Sequence, residues 1–235
     1  VGSEMCIRDR YTPSYLAQGI RTGKTKTIAM VVPEYTNIFY NELFRGVEDM
    51  ALKYGYMVFV CNTERSRRSE IEYIEEILKR NVDGIIYNTY SNSEEMLNFL
   101  RSLSQKLPVV YTNHLFQEDE PVSYVYTDGF ESNREAVHFL YEKGRTTIGY
   151  IRNTTDISVI EDRYEGYLQG LRDCGIPFRE EYVYRAKQST EPDYIALGAD
   201  AAKYYEGLDA TPKAVIAAID ALALSLIHIS EPTRP

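Results

Sequence analysis

Apolar residues fall in short runs that alternate with stretches of helical spacing. The clearest run is Ile28 to Val32, five in succession, ended by Pro33. Such a run suits a strand, Thr27 to Val32, covered on both faces as in a parallel α/β sheet. A short polar and aromatic loop follows. From about Phe39, Leu43, Phe44, Val47, Met50 and Ala51 then recur at helical spacing, which predicts a helix packed on the core. The same grammar repeats. Strands are expected at Tyr56 to Cys61, Val82 to Tyr87, Pro108 to Thr112 and Tyr124 to Thr127, with helices at Ser69 to Arg80, Ser93 to Leu103 and Glu131 to Lys143, the last closed at Gly144. From Thr146 it restarts: strand Thr147 to Arg152, loop Asn153 to Ser158, helix Ile160 to Cys174, a Gly175-Ile176-Pro177 turn, strand Tyr182 to Arg185, helix Asp193 to Tyr205 and strand Ala214 to Ile219. Alternation at this spacing predicts parallel sheets joined by right-handed crossovers, and the restart predicts a second lobe.

Helix Ser69 to Arg80 places Ile71, Ile74, Ile77 and Leu78 inward. Its charges, Glu70, Glu72, Glu75, Glu76, Lys79 and Arg80, read as a mostly solvated face, acids early and bases late in accord with the helix dipole.

The two ends stand apart from this pattern. One nucleotide string encodes VGSEMCIRDR, residues 1–10, and its reverse complement in another frame encodes LSLIHISEPT, Leu224 to Thr233. A match of that kind has no protein-level cause, and the string resembles a transposase adapter used in sequencing libraries. Residues 1–10 and 224–235 are therefore expected to be translated adapter, outside fold reasoning. Setting them aside leaves the net charge of −9 unchanged, because three basic residues (Arg8, Arg10, Arg234) go with three acidic ones (Glu4, Asp9, Glu231). An acidic body of this kind is no nucleic-acid surface by charge. The only basic stretch is Tyr11 to Lys26, with Arg21, Lys24 and Lys26 and no acid; by itself it reads as an exposed linker in which Pro13 to Ile20 can form a short helix. Cys61 and Cys174 are expected to be reduced and structural, which suits a cytoplasmic protein. No run approaches a membrane span.

Candidate chemistry lies at the strand ends: Asn62, Asn88, Asn113, Asp128, Asn153 and Asp220. Each alone is most simply a turn or cap residue. Together they predict a polar cleft, because the carboxyl ends of parallel strands lie on one side of a sheet. Amides, carboxylates, an arginine and aromatic faces suit a neutral polyhydroxylated ligand. There is no G-x-G-x-x-G after a strand, no G-x-x-x-x-G-K-[ST] and no G-x-S-x-G, so no catalytic centre or cofactor is read here. His114 and His138 show no metal-ligand spacing with each other or with the cysteines.

Several stretches, in this order, carry a resemblance: YTPSYLAQGIRTGKTKTIAMVVPEYTNIFYNELFRGVED, YGYMVFVCNT, RNVDGIIY, PVVYTN, DGFESNREAVHFLYEKGRTTIGYI, DRYEGYLQGL, CGIP and PKAVIAAIDALAL. Over residues 11–223 the chain resembles the lactose-repressor (LacI) family of transcription regulators. The resemblance implies a two-lobed periplasmic-binding-protein-like (type I) α/β fold with parallel sheets. It divides the chain into a hinge helix and linker (11–26), an N-terminal effector lobe (27–144) and a C-terminal lobe (145–223) that stops before its remaining strands. It implies a homodimer, a small-molecule effector such as a sugar between the lobes, and operator DNA as partner of the full-length protein. In the hinge, Leu16, Ala17, Gln18 and Ile20 match minor-groove positions, Ile20 standing where the family has a leucine wedge. Phe39 and Tyr40 match first-loop aromatics that contact ligand, and Arg163 matches the arginine of an R-x-x-G-aromatic motif completed by Gly166 and Tyr167. Asp128 and Asp220 match acids near the cleft, which Asn113 is expected to join. Ile219 replaces an asparagine that often precedes Asp220, and Arg145 replaces a usual histidine. The competing expectations are a periplasmic sugar-binding protein of a transport system, which an upstream signal peptide would mark, and a doubly wound enzyme, which turnover of a sugar or nucleotide would mark.

Overall fold

The computed structural model describes residues 23–35, 37–63, 70–89, 91, 93–116, 119–152, 158–186 and 193–230. The hinge positions Leu16, Ala17, Gln18 and Ile20, and Asn153, lie outside them. The chain divides into two compact units, with the break between Tyr126 and Thr127.

In the first unit, strands β1 (Thr27–Val32), β2 (Met57–Asn62), β3 (Gly84–Tyr87), β4 (Val109–Tyr111) and β5 (Ser123–Tyr124) form one sheet in the order β2-β1-β3-β4-β5, every pair parallel. Helices α1 (Ile38–Lys53), α2 (Glu70–Leu78) and α3 (Glu94–Lys106) alternate with them. One face of the sheet carries Ala29, Val31, Ile85, Tyr87, Val109 and Tyr111, which bury against Ile74 and Ile77 of α2 and Met96, Leu100 and Leu103 of α3. Met30 and Val32 of the other face pack with Tyr40 of α1. Period-two alternation along β1 thus feeds two cores, and five apolar residues in a row are what a strand between them requires. Covering by α1 is incomplete: an open apolar groove of about 560 Å³ lies along it, lined by Leu43, Val47 and Met50 of the helix and Ile28 and Ile86 of the sheet. Met50, expected in the core, is 49% exposed.

Ahead of β1 the chain is tied down. Asp83 Oδ1 accepts from Thr25 N (2.7 Å) and Thr25 Oγ1 (2.9 Å), and its Oδ2 accepts from Lys26 N (3.0 Å). Lys26 sits at φ 57°, a left-handed conformation that a non-glycine residue keeps only when its surroundings hold it there.

In the second unit, β6 (Ile148–Arg152), β7 (Val183–Arg185) and β8 (Ala214–Ala217) form a parallel sheet in the order β7-β6-β8. Helices α4 (Gly129–Glu142) and α5 (Ser158–Asp173) lie on one side, where Val137, Tyr164, Tyr167 and Leu171 join Ile148 and Tyr150. On the other, α6 (Tyr194–Glu206) and α7 (Asp220–Ser230) bury Ala201, Tyr205 and Leu222 with Ile151. The sequence pattern assigned the helix at Glu131 to Lys143 to the first lobe. The structure corrects that boundary, because α4 buries its apolar face against α5 within the second unit. Gly144 (φ 75°) closes α4 as expected, and Gly175 (φ 63°) makes the turn after α5. Strand β8 ends at Ala217, so Ile219 is not part of it and Asp220 opens a helix. Helix α7 runs on through Leu224, where adapter was expected, and its Leu222 and Ser225 are buried.

The tightest helix contact fixes α5. A Cβ placed on Gly166 would lie 2.0 Å from the backbone oxygen of Phe130 in α4, and one on Gly170 would lie 2.7 Å from Val137 Cβ. Gly166→Ala should therefore lower stability by roughly 1–3 kcal/mol, the range for overpacking. Gly46→Ala in α1, whose added Cβ would meet nothing within 4 Å, should be neutral or stabilising. Urea midpoints of the two variants check this, and equal midpoints would contradict the packing.

Candidate functional site

All strands of each sheet run the same way, so the loops after them gather on one edge. In the first unit that edge carries a hydrogen-bond chain. Tyr40 Oη donates to Asn88 Oδ1 (3.0 Å), and Asn88 Nδ2 donates to Thr112 Oγ1 (2.8 Å). Asn113 Nδ2 donates to the Thr89 carbonyl (2.8 Å), while Asn113 Oδ1 is buried without a partner. Beside it the His114 ring lies between Tyr124 (5.0 Å) and Tyr126 (4.9 Å, stacked), its Nε2 also buried and unpartnered. Buried polar atoms without partners mark places where a bound water or ligand group completes the bonding.

Placement of the first-loop aromatics differs from the expectation that both face a cleft. Asn37 caps α1 by accepting from Phe39 N, which sets the helix phase. Phe39 is then 55% exposed and Tyr40 only 5% exposed, packed on Met30 and Val32. Tyr40 thus serves through its hydroxyl, holding Asn88, and Phe39 is the aromatic surface on offer.

Sequence reasoning put Glu70 on the solvated face of its helix; the structure turns it inward. Tyr87 Oη donates to Glu70 Oε1 (2.6 Å) and Thr89 Oγ1 donates to Oε2 (2.9 Å), and Thr89 Oγ1 in turn accepts from Ser91 N (2.9 Å). Burial raises the Glu70 pKa above the ordinary glutamate value, and the two hydroxyl donors oppose it. This carboxylate braces the loop that carries Asn88 and Thr89. Its signal in the sequence was weak, since it begins a helix whose early positions are rich in acids.

The second unit's edge is guanidinium-rich. Arg163 Nη1 donates to the Ala218 carbonyl just past β8 (2.5 Å). Gly166 and Tyr167 of the same motif are structural: the glycine admits the α4 backbone, and Tyr167 Oη donates to the Ile148 carbonyl (2.9 Å). Arg152, at the end of β6, pairs with Glu161 and lies over the Tyr164 ring at 4.9 Å; Arg185, at the end of β7, pairs with Glu180 (2.9 Å). Asp220 is exposed at the start of α7, two residues past Ala218. Asp128 does not end a strand as expected. It is the N-cap of α4, accepting from Glu131 N at 2.9 Å, which occupies one carboxylate oxygen structurally. Phe39, Tyr40 and Asn113 thus belong to the first unit, and Asp128, Arg163 and Asp220 to the second.

Among the described residues no three His, Cys, Asp or Glu side chains are grouped to hold a metal. No described helix is long and apolar enough to cross a membrane. Cys61 and Cys174 are free thiols.

This arrangement, two parallel sheets each presenting polar strand ends, is that of a ligand-binding fold. The model for periplasmic binding proteins and the sugar binding domain of the LacI family matches residues 25–228, and the chain belongs to that family. It is 29% identical to the HTH-type transcriptional regulator RegA of Clostridium saccharobutylicum and 29% identical to catabolite control protein A of Priestia megaterium. Each match covers 93% of this chain and 64% of the relative, so the chain spans a little under two thirds of their length. Its fold is similar to that of a LacI-family regulatory protein from Chloroflexus aggregans, with a TM-score of 0.71 and 22% identity over 87% of this chain and 72% of that one.

Glu70 supplies a pH test. Because its folded pKa lies above its unfolded value, the folded state binds the proton more tightly, and that contribution is full below the unfolded pKa and lost as pH rises through the folded one. Relative to Glu70→Gln, the wild type should lose stability between the ordinary glutamate pKa and the raised one. A stability difference that stays flat with pH across that window, measured by urea unfolding, would contradict the buried placement.

Proposed function

We propose that the chain is the effector-binding body of a DNA-binding transcription regulator, a repressor, whose two lobes close on a small ligand, a sugar. The observation that carries this reading is family membership over residues 25–228 together with relatives that are named as transcription regulators. The basic stretch Tyr11 to Lys26 supports it as the hinge leading to a DNA-reading headpiece in the full-length protein, with Leu16, Ala17, Gln18 and Ile20 facing the minor groove. The protein acts in the cytoplasm as a homodimer and performs no catalysis.

The site chemistry fits a ligand rich in hydroxyls. Asn113 Oδ1 is an acceptor in search of a donor, Arg163 has guanidinium donors beyond the one held by Ala218, and Phe39 offers a face for a sugar ring. Asp128 and Asp220 add acceptors near the second sheet. Ligand binding acts by differential affinity: closure that favours one dimer arrangement shifts the population competent for DNA. Coupling of this kind is typically about 1–3 kcal/mol, or roughly 5- to 150-fold in operator affinity.

In a full-length version bearing a DNA-reading headpiece, Arg163→Ala should abolish the ligand-dependent change in operator affinity, read by fluorescence anisotropy of labelled operator, while ligand-free DNA binding persists. Undiminished ligand response would remove Arg163 from the site. A full-length protein that binds the ligand but no DNA would favour a transport-system binding protein instead.

A further inference from the structure

The second unit holds a buried hydroxyl that the site described above does not use. Tyr150 lies in the middle of β6 with no exposed surface, and its hydroxyl is buried without a partner. Its ring is fixed against Tyr167 (4.9 Å) and Tyr164 (5.4 Å) of α5, so the hydroxyl cannot swing away to find one. Burial raises the phenol's pKa well above the ordinary tyrosine value, and the charges of Arg163 and Arg152 are the next largest influences, pulling it back down. The phenol therefore stays protonated, a hydrogen-bond donor; two residues on in β6, Arg152 shares its side of the sheet and stacks on the same Tyr164 ring.

Among the described residues neither arginine is closed off by a buried partner. Among the described residues Arg163 hydrogen-bonds only the neutral Ala218 carbonyl, which leaves its charge without a carboxylate. Arg152 pairs with Glu161, but the Glu161 side chain is 43% exposed against 22% for Arg152. A pair with one solvated member is weak and exchangeable. Stacking over Tyr164 at 4.9 Å fixes the Arg152 guanidinium plane, leaving its fork for a planar or tetrahedral oxyanion. A hydroxyl of a neutral sugar could satisfy Tyr150, yet it would bring no charge to Arg163, which has no carboxylate partner among the described residues.

We infer that Tyr150, Arg163 and Arg152 form an oxyanion subsite at the carboxyl edge of the second sheet, and that the effector carries a phosphate or carboxylate group there. Glu161, which pairs with Arg152, yields to the ligand. This inference rests on the effector-binding reading above and narrows the ligand class within it.

Calorimetric titration of the 235-residue chain at constant ionic strength tests it, with inorganic phosphate, glucose 6-phosphate, glucuronate and glucose as probes. At least one oxyanion probe should bind more tightly than glucose, with the phosphate-bearing and carboxylate-bearing probes telling the two chemistries apart. Tyr150→Phe should weaken that binding roughly tenfold, the size of a lost hydrogen bond to a charged group. Glu161→Gln, an exposed change, should strengthen it by freeing Arg152, and it keeps the test informative should Tyr150→Phe disturb folding. Glucose binding as tightly as the charged probes, or oxyanion affinity indifferent to both substitutions, overturns the subsite and leaves the sugar-effector reading standing. Absence of oxyanion binding, with only water satisfying Tyr150, also overturns it. Failure of the regulatory reading is seen separately, as operator affinity that no small molecule changes.

Discussion

Parallel pairing is the constraint from which the rest follows. A parallel strand cannot return through a tight turn, so all strands after β1 but β5, which a loop joins to β4, are reached through a helix, and each helix must bury a stripe on the sheet. The strands are consequently apolar on both faces, as β1 shows with Ala29 and Val31 turned one way and Met30 and Val32 the other. Charged and amide side chains are kept out of the body of the sheet and collect at one edge, where Asn88, Asn113, Arg152 and Arg185 follow or end their strands. The site is thus a by-product of topology before it is a feature of any one residue.

The two edges are equipped differently. In the first unit the described groups are mostly amides and hydroxyls that satisfy one another, with Glu70 bracing them from beneath. In the second they are guanidiniums resting on tyrosine rings. Amide chains give geometry without field; arginines stacked on aromatics give field with fixed direction. Rigidity behind the second set comes from α5, which Gly166 and Gly170 let approach α4 more closely than any side chain would permit.

Much of this was legible in the sequence, and the failures have physical causes. β1 is found at the expected residues because five apolar residues before a proline admit few alternatives. Gly144 was readable as a helix end because positive φ is its natural state. Asp128 and Asp220 look like strand-end acids in sequence, but a carboxylate ahead of a helix serves equally as a cap, and only the hydrogen bond from Glu131 N decides for Asp128. Glu70 was hidden because helical spacing cannot reveal that Tyr87 and Thr89, on a neighbouring strand end, would supply donors. Arg163 was placed by resemblance to a motif. Tyr150 carried no signal, since an aromatic residue in a strand ordinarily means core.

One modest contact reaches beyond the sheet. Asp83, entering β3, grips Thr25 and Lys26 through three hydrogen bonds and holds Lys26 in a backbone form it would not choose. Thr25 and Lys26 therefore lead into β1 from a clamped socket and not from a frayed strand end. The start of β1 is held like a bit in a chuck, its angle inherited from the turn that enters β3.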